Sequence, residues 1–449
     1  MLGLGTPAET LWLSVTQWDL RSPAFQSSLE IDAENLRSHV FEGESMLAEL
    51  PEKPLRTEAQ QAIAAAVHRV SRRARASFME KHATLVYDAI MASTADISGL
   101  SDISFTASEL FPGLTPTRRQ IASECEKEQA SKEGREIDLG IFFHALLSVP
   151  DIGMRIITSM LQPTAKALQL LPEFARSGAL QIGAVHLQRR GRAAYLTFEN
   201  VSCLNAEDNE LIDSMETAVD LALLDDAAGV LVLRGGAMQH PRYKGRRVFS
   251  AGINLNKLHA GSISYTDFLL RREFGYINKM ACGLVLDATE GNRSATRIEK
   301  PCIAAVDTFA IGGGAQILLV CDHVIASAGS YFSLPAAQEG IIPGVANLRL
   351  GDLTGARLAR QIILSGRQIW ANEEAAKCIF DEVVAPSAME QTIALRADQL
   401  DNPAVIANRR MLRLAREPED RFRTYMAEFA LAQAVRMYSQ DVLNKVAQA

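Results

Sequence analysis

The chain has 449 residues, 48% of them hydrophobic and 22% charged, a balance typical of globular proteins that bury a large core in two or three domains. Its formal net charge of −7 argues against nucleic acid as a partner, because no basic surface dominates. The six cysteines form no CxxC pair, no basic segment precedes the first apolar stretch, and no apolar run approaches the roughly 20 residues of a membrane helix. We therefore expect a cytoplasmic protein with reduced thiols and no membrane partner.

Residues 1–180 are predicted to form an all-helical N-terminal domain. Segments rich in Ala, Leu, Glu and Arg recur there with helical apolar spacing, most clearly over Glu58–Ile90. Breaks containing Pro, Gly or Ser separate the helices at Leu50–Pro54, Gly99–Ser104 and Pro112–Pro116. This half contains no Gly-rich phosphate loop and no metal-spaced His or Cys cluster, so we expect a helical bundle that caps, orients or oligomerises the rest of the chain.

Strands and helices alternate from about Gly183, which predicts an α/β domain over residues 181–449. Alternating apolar and polar residues predict two short strands joined by a turn at Arg190–Gly191. The later predicted elements are a helix over Ala206–Leu224 and buried strands over Gly229–Gly235, Cys302–Ala310 and His323–Ala328. From Leu353 onward the pattern is again helical.

Two glycine-containing segments carry the candidate chemistry. The first, Arg247–Leu255, follows a buried strand, and the second, Ala310–Gln316, lies between a strand and a helix. Glycine lets backbone approach a ligand closely, and the first N–H groups of a helix are unpaired and favour negative charge. Two such N–H groups converging on one oxygen form an oxyanion hole. The GGG run is not followed by the spacing and acidic partner of a dinucleotide site.

Together, FSAGINL (Phe249–Leu255) and AVDTFAIGGGAQILLVCD (Ala305–Asp322) resemble the paired signature of the crotonase (enoyl-CoA hydratase/isomerase) superfamily. The resemblance covers residues 183–449 and implies a ClpP-like spiral of ββα turns that binds an acyl-CoA. It also implies a homo-oligomer, a trimer or dimer of trimers, whose C-terminal helices complete neighbouring subunits. The implied oxyanion donors are the backbone N–H groups of Ile253 and Gly313, with Gly314 beside the substrate and Arg247 near the CoA phosphates.

The sequence departs from the hydratases of this superfamily at both catalytic glutamates. Gln316 stands at the position after GGG, and Ala336 stands at the position before the IPG turn. Neither side chain can exchange a proton, so hydration of an enoyl-CoA is not expected. Glu339 lies three residues beyond the second position, and we interpret it as a solvated turn carboxylate.

A site that keeps the oxyanion donors without this acid/base pair is expected to stabilise a thioester enolate. With the long helical extension and the apolar IPGVANLRL segment, it resembles a cofactor-independent dioxygenase branch of the superfamily. The resemblance implies that 3,5-dihydroxyphenylacetyl-CoA and O2 become 3,5-dihydroxyphenylglyoxylate and CoA, without metal or flavin, in dihydroxyphenylglycine formation for glycopeptide antibiotics. The α-carbon of an arylacetyl thioester is comparatively acidic, and O2 needs only a dry apolar pocket, which Ile253, Ile342 and Val345 are expected to line.

Three polar residues are candidates for holding the two phenol hydroxyls: Glu207, Arg271 and Gln316. Arg271 lies on a predicted helix over Tyr265–Met280. The structural alternatives are a carboxylate at a helix N-terminus for Glu207 and a solvated arginine for Arg271. The base that removes the α-proton is not identifiable, since His240, ahead of the first glycine segment, is equally consistent with an exposed loop residue.

Two other functions remain open. The same oxyanion hole is compatible with thioester hydrolysis by water, and a chain without catalysis is compatible with a CoA-binding module. Oxygen consumption separates the dioxygenase from both.

Overall fold

The structure is a computed structural model that describes residues 7–93, 99–286 and 297–447. The chain forms two compact units. The first unit comprises Met1–Gly153, His259–Ser262 and Met426–Ser439. The second unit comprises Met154–Leu258, Ile263–Tyr425 and Gln440–Ala449.

The described residues before the first strand are all-helical, as the sequence predicts. Their α-helices are α1 Pro7–Leu20, α2 Leu29–Ala48, α3 Glu58–Ser93, α4 Leu100–Leu110, α5 Arg118–Cys125, α6 Glu136–Ser148, α7 Pro150–Met160 and α8 Ala165–Ser177. Helix α3 covers the whole predicted helix. The predicted break over Gly99–Ser104 is too long, because α4 already begins at Leu100.

The first unit packs through an apolar core and through buried charge pairs between its helices. Trp18, Val67 and Val70 are buried in one cluster between α1 and α3. The His82 Nε2 atom lies 2.8 Å from Asp32 Oδ2, and both side chains are almost fully buried. Such pairing is what allows polar side chains inside a helical bundle.

A seven-stranded sheet forms the centre of the second unit. Its strands in chain order are β1 Ala179–Ile182, β2 Val185–Arg190, β3 Ala193–Phe198, β4 Val230–Gly235, β7 Cys302–Val306, β9 His323–Ser327 and β12 Glu382–Val384. They lie in the order β1-β2-β3-β4-β7-β9-β12. The first three strands are antiparallel and the others are parallel, with β3 beside β4.

The sequence explains why β4 and β7 are central. Every residue of both strands is buried, as expected for parallel strands covered on both faces. On one face, Val230, Val232 and Ile303 pack against Met389 and Ile393. The α/β class predicted for the C-terminal half is thereby confirmed.

Two small sheets complete the strand content of the described residues. Their strands are β5 Leu284–Val285, β6 Arg297–Ile298, β8 Phe309–Ile311, β10 Tyr331–Ser333 and β11 Ile369–Trp370. β8 and β10 are parallel, with Ile311 opposite Ser333. Both strands therefore end at the same edge of this small sheet. At that edge Ile311 leads into Gly312 and Gly313, and Ser333 leads into the residues that precede helix α14 (Ala336–Glu339).

The remaining helices belong mainly to the second unit. They are α9 Asn209–Leu224, α10 Leu255–His259, α11 Arg271–Phe274, α12 Tyr276–Cys282, α13 Gly313–Leu318, α14 Ala336–Glu339, α15 Ala346–Thr354, α16 Ala356–Ser365, α17 Met389–Leu400, α18 Pro403–Arg416, α19 Glu419–Arg436 and α20 Gln440–Val446. The prediction of continuous helix from Leu353 is wrong, because β11 and β12 interrupt it. They are two and three residues long, too short for periodicity to reveal.

The single helix predicted over Tyr265–Met280 is also wrong. Tyr265–Leu270 forms a π-helical turn, and α11 and α12 follow it with a break at Gly275. A π turn adds a residue to the helical repeat and so rotates the side chains that follow.

Among the described residues no single helix has the length and hydropathy of a membrane span. One bent pair of helices, Glu136–Ser148 with Pro150–Ser177, has the length and hydropathy of a membrane span when its two parts are taken together.

Candidate active site

The first glycine segment is held in place by backbone pairing with Glu207. The Glu207 N–H donates to Gly252 O over 2.7 Å, and the Asn254 N–H donates to Glu207 O over 2.8 Å. The C=O and N–H groups of one trans peptide point in opposite directions. Because the Gly252 C=O points toward Glu207, the Ile253 N–H of the same peptide points away from that residue.

The second glycine segment meets the first through backbone contacts. The Ile311 N–H donates to Ser250 O and the Gly312 N–H donates to Ser333 O, each over 2.9 Å. Gly312 has φ +52° and precedes the first residue of α13, Gly313. A Cβ on Gly252 would lie 3.4 Å from Gly313 N, so the two segments are in van der Waals contact.

The N–H groups of Ile253 and Gly313 are thus carried by adjacent backbone segments. In the described part of the chain neither N–H has a hydrogen-bond acceptor, and the first N–H groups of a helix have no partner within it. Their convergence on a thioester oxygen remains a prediction.

Beside this backbone lies a buried group of polar side chains, here called the polar cluster. Its members are Glu207, Arg272, Glu273, Tyr276 and Gln316. The first four are at most 4% exposed, whereas Gln316 is half-buried.

The Arg272 guanidinium is the centre of the polar cluster. Its Nε donates to Glu207 Oε2 over 3.0 Å, and its Nη1 donates to Glu273 Oε1 over 2.6 Å and to Gln316 Oε1 over 2.9 Å. Its Nη2 donates to the Gly313 carbonyl over 2.6 Å. The guanidinium therefore joins both carboxylates to α13.

Electrostatics fix the protonation of two cluster members. Burial by itself lowers the pKa of Arg272, but the nearby negative charges, of which Glu207 is the largest cause, outweigh burial and raise it. Burial raises the pKa of Tyr276 well above its ordinary value. Tyr276 Oη is therefore a donor, and it donates to Glu207 Oε1 over 2.8 Å.

Two glycines leave the space that the carboxylates occupy. A Cβ on Gly313 would lie 1.7 Å from Glu207 Oε2. A Cβ on Gly344, at φ +44°, would lie 2.1 Å from Glu273 Oε1 and 2.4 Å from Gln316 Oε1. The polar cluster is therefore in contact with both the start of α13 and the IPG turn.

Comparisons with known proteins show the family of this chain. The sequence pattern of the family described as "Enoyl-CoA hydratase/isomerase" matches residues 189–436. The chain is 51% identical over 425 residues to a (3,5-dihydroxyphenyl)acetyl-CoA 1,2-dioxygenase from Amycolatopsis orientalis, a match that covers 95% of this chain and 97% of that protein. This chain belongs to the enoyl-CoA hydratase/isomerase family.

More distant relatives match about half of this family member. A short-chain-enoyl-CoA hydratase from Clostridium acetobutylicum is 28% identical over 230 residues, 51% of this chain and 79% of that protein. The crystal structure of an enoyl-CoA hydratase from Bacillus halodurans is 18% identical, with a TM-score of 0.48, and covers 59% of this chain and 100% of that one.

The structure brings two of the three predicted ring contacts together. Glu207 and Gln316 both bond to Arg272. Arg271 does not join them: its Nε donates to Glu216 over 2.6 Å, and its Nη2 donates to Asp213 over 3.1 Å. A π turn precedes α11, and such a turn changes the direction of the side chains that follow it relative to an uninterrupted helix.

The other predicted substrate contacts have structural neighbours. Arg247 Nη1 donates to the Gly235 carbonyl over 3.0 Å. A Cβ on Gly314 would lie 2.5 Å from Ser250 Cβ, so this glycine lets α13 approach the first segment. Their contacts with substrate remain predictions.

The remaining expectations concern the oxygen pocket and the base. Val345 is almost fully buried, whereas Ile253 and Ile342 are half-buried. His240 accepts a hydrogen bond from the Arg242 N–H at Nδ1 over 3.3 Å. None of these contacts assigns a catalytic role.

Arg272, Glu273 and Tyr276 are cluster members that sequence reasoning missed. The signal was present in FLLRREFGYINKM (Phe268–Met280), where charged residues interrupt an otherwise apolar stretch. Charged side chains are rarely buried unless they are paired. A charged pair inside an apolar helix therefore indicates a buried polar site.

Proposed function

We propose that this family member is a dioxygenase that converts (3,5-dihydroxyphenyl)acetyl-CoA and O2 to (3,5-dihydroxyphenyl)glyoxylate and CoA. The relative with that activity matches the helical region as well as the α/β domain, since the match covers 95% of this chain. The single structural observation that carries the proposal is the buried polar cluster directly beside Gly313.

The backbone donors account for the first part of the chemistry. Removing an α-proton of an arylacetyl thioester places negative charge on the thioester oxygen. Donors aimed at that oxygen, here the N–H groups of Ile253 and Gly313, stabilise the enolate more than the neutral thioester. The α-carbon then carries the electron density that reacts with O2.

The polar cluster accounts for recognition of the ring. Gln316 uses its oxygen to accept from Arg272, and its Nε2 has no partner among the described residues. Glu207 and Glu273 supply acceptors for phenol O–H groups, and Gln316 Nε2 supplies a donor. Arg272, rather than Arg271, is the arginine of this recognition site.

Gln316 and Ala336 argue against hydratase chemistry in the same site. Ala336 is 5% exposed and has no titratable group, and Gln316 has no proton to exchange. A bound enolate is therefore not quenched from these two positions, which leaves it for reaction with O2.

A basic loop ahead of the first glycine segment suits the CoA moiety. Arg242, Lys244 and Arg246 are exposed there. The guanidinium carbons of Arg242 and Arg246 lie 5.5 and 5.7 Å from the Tyr243 ring centroid. Cations beside a half-buried aromatic ring match the phosphates and the adenine of CoA, and Arg247 extends this loop toward the site.

The reaction requires no metal or organic cofactor in this proposal, and the protein acts as a homo-oligomer. Purified protein in an oxygen electrode should consume one O2 per substrate thioester and release one free thiol. Thiol release without oxygen uptake would favour the hydrolase, and neither signal would favour a CoA-binding module. Light scattering on the same sample gives the oligomer size.

A further inference from the structure

The proposed function requires a base for the α-carbon, and the following inference rests on that function. We propose that Glu339 is the general base that removes the α-proton of the bound arylacetyl thioester. Glu339 ends the short helix α14, and its sequence position alone suggested only a solvated turn carboxylate.

The strand register brings α14 to the oxyanion segments. β8 and β10 run parallel with Ile311 opposite Ser333, and the Gly312 N–H donates to Ser333 O. The residues after Ile311 form the start of α13, and the residues after Ser333 lead directly into α14. Because both strands end at the same edge, Glu339 and Gly313 belong to segments that leave the sheet side by side.

The chain beyond α14 returns to the polar cluster. The Val345 N–H donates to Glu273 Oε2 over 3.2 Å. Gly344 lies so close to Glu273 and Gln316 that no side chain fits there. The segment that carries Glu339 is therefore fixed to the site at both of its ends.

Within α14, Glu339 shares a face with a buried residue. Ala336 is 5% exposed, and residues three apart on a helix are neighbours on its surface. Gln338 points elsewhere, since its Nε2 donates to Ser365 O over 3.1 Å. The Glu339 side chain is thus on the Ala336 side of the turn.

Glu339 also has a carboxylate oxygen that accepts no hydrogen bond from the described residues. Its Oε2 is buried, and within the described part of the chain it has no hydrogen-bond partner. Both oxygens of Glu207 and of Glu273 already accept hydrogen bonds. A buried acceptor without a donor is costly, and a proton taken from the substrate satisfies it.

The step balances as follows. The α-carbon C–H bond breaks, its proton forms the O–H bond of Glu339, and the electron pair becomes the enolate held by the backbone donors. O2 is the oxidant, and it adds to the α-carbon. The peroxide attacks the thioester carbonyl and expels CoA, which closes a four-membered peroxylactone. The second α C–H bond and the O–O bond then break, and the α-carbon becomes the keto carbon of the acid. The CoA thiolate takes the proton from Glu339, so the two α-hydrogens end on the thiol and the product acid.

Hydrogen exchange without oxygen isolates this step. Under anaerobic conditions in D2O, the wild-type protein should exchange the α-hydrogens of the substrate thioester for deuterium, followed by mass spectrometry. Because general base catalysis contributes about 10²–10⁴-fold, exchange by Glu339→Gln should be at least about 100-fold slower. The matched control is Glu374→Gln, which removes an exposed carboxylate paired with Lys377 and should exchange at the wild-type rate.

A second variant separates proton transfer from a structural role. Glu339→Ala should bind the substrate thioester with unchanged affinity by calorimetry, and added formate should restore at least a tenfold gain in exchange. Exchange within threefold of wild type in either variant overturns the assignment. The assignment is also overturned if formate does not restore exchange in folded Glu339→Ala protein and Glu339→Asp exchanges as slowly as Glu339→Ala.

The two proposals fail differently. Wild-type protein that exchanges α-hydrogens but consumes no O2 contradicts the dioxygenase and supports a base at the site. Wild-type protein that consumes O2 while Glu339→Gln consumes it equally fast contradicts only the base.

Discussion

Arg272→Lys tests whether the polar cluster recognises the aromatic ring. Arg272 is 4% exposed, and it holds Glu207 through Nε and both Glu273 and Gln316 through Nη1. Lysine keeps the positive charge, but its single ammonium cannot replace a planar fork with five donors. We expect at least two of these contacts to be lost.

The structure gives the size of the effect. A hydrogen bond to a charged group contributes about 1.5–3 kcal/mol, so two lost contacts amount to about 3–6 kcal/mol. At about 1.4 kcal/mol per factor of ten, kcat/KM for (3,5-dihydroxyphenyl)acetyl-CoA should fall by about 10²–10⁴. Phenylacetyl-CoA, which has no hydroxyl to place, should lose at least about tenfold less.

The adjacent arginine is a matched control. Arg271 is also ion-paired, but with Glu216 and Asp213, and its side chain is 23% exposed. A partly exposed pair contributes little, so Arg271→Lys should change kcat/KM by no more than about fivefold. Oxygen uptake measures kcat/KM of both variants with both thioesters, and circular dichroism checks that each variant is folded. Equal losses in the two variants, or equal losses on the two substrates, would refute ring recognition by Arg272.

Four further outcomes are expected. Gly313→Pro removes an oxyanion donor and puts atoms where Glu207 Oε2 lies, so oxygen uptake should fall at least about 100-fold in protein that is still folded by circular dichroism. Crotonyl-CoA should show no hydration by absorbance at the enoyl band, because Gln316 and Ala336 cannot move a proton; enzyme-like hydration would contradict the assignment of this branch. Dialysis against a chelator should leave oxygen uptake unchanged, and ¹⁸O₂ should label both the keto and the carboxylate oxygen; activity restored by iron or copper, or label in one position only, would contradict the mechanism. In the first unit, burial alone raises the pKa of Glu133, but hydrogen bonds from His68 and Arg56 outweigh burial and lower the pKa to about 2. The stabilisation that ionised Glu133 gives the fold is complete above the ordinary glutamate pKa near 4.5 and is lost as pH falls toward 2. Glu133→Gln should therefore move the acid unfolding midpoint to higher pH, and an unchanged midpoint would show that these hydrogen bonds do not stabilise the fold.

The elements that the sequence predicted well are those whose pattern is set by burial alone. β4 and β7 are continuous apolar runs because both faces are covered, and α3 keeps one apolar stripe over its whole length. The glycine segments were also found, because the positive φ of Gly252 and the Glu207 carboxylate beside Gly313 disfavour a side chain at these positions. In each case local composition carries the information.

The two adjacent arginines show what local pattern cannot carry. Arg271 and Arg272 are identical side chains one position apart, and the π turn over Tyr265–Leu270 that precedes them has no fixed sequence spacing. Which of the two reaches the polar cluster therefore depends on tertiary packing. The same limit explains why Glu339 was interpreted as solvated, since the burial of its Oε2 atom is a property of the folded chain.

The contacts of Glu207 join the two halves of the proposed chemistry. Its backbone N–H and C=O hold both neighbours of Ile253, while its carboxylate lies against Gly313 and pairs with Arg272. One residue therefore touches both glycine segments and the rest of the polar cluster. Because catalysis depends on interactions formed in the transition state, a ring that completes the cluster also fixes the geometry of the enolate donors. The dihydroxyphenyl group should for this reason contribute to kcat and not only to binding.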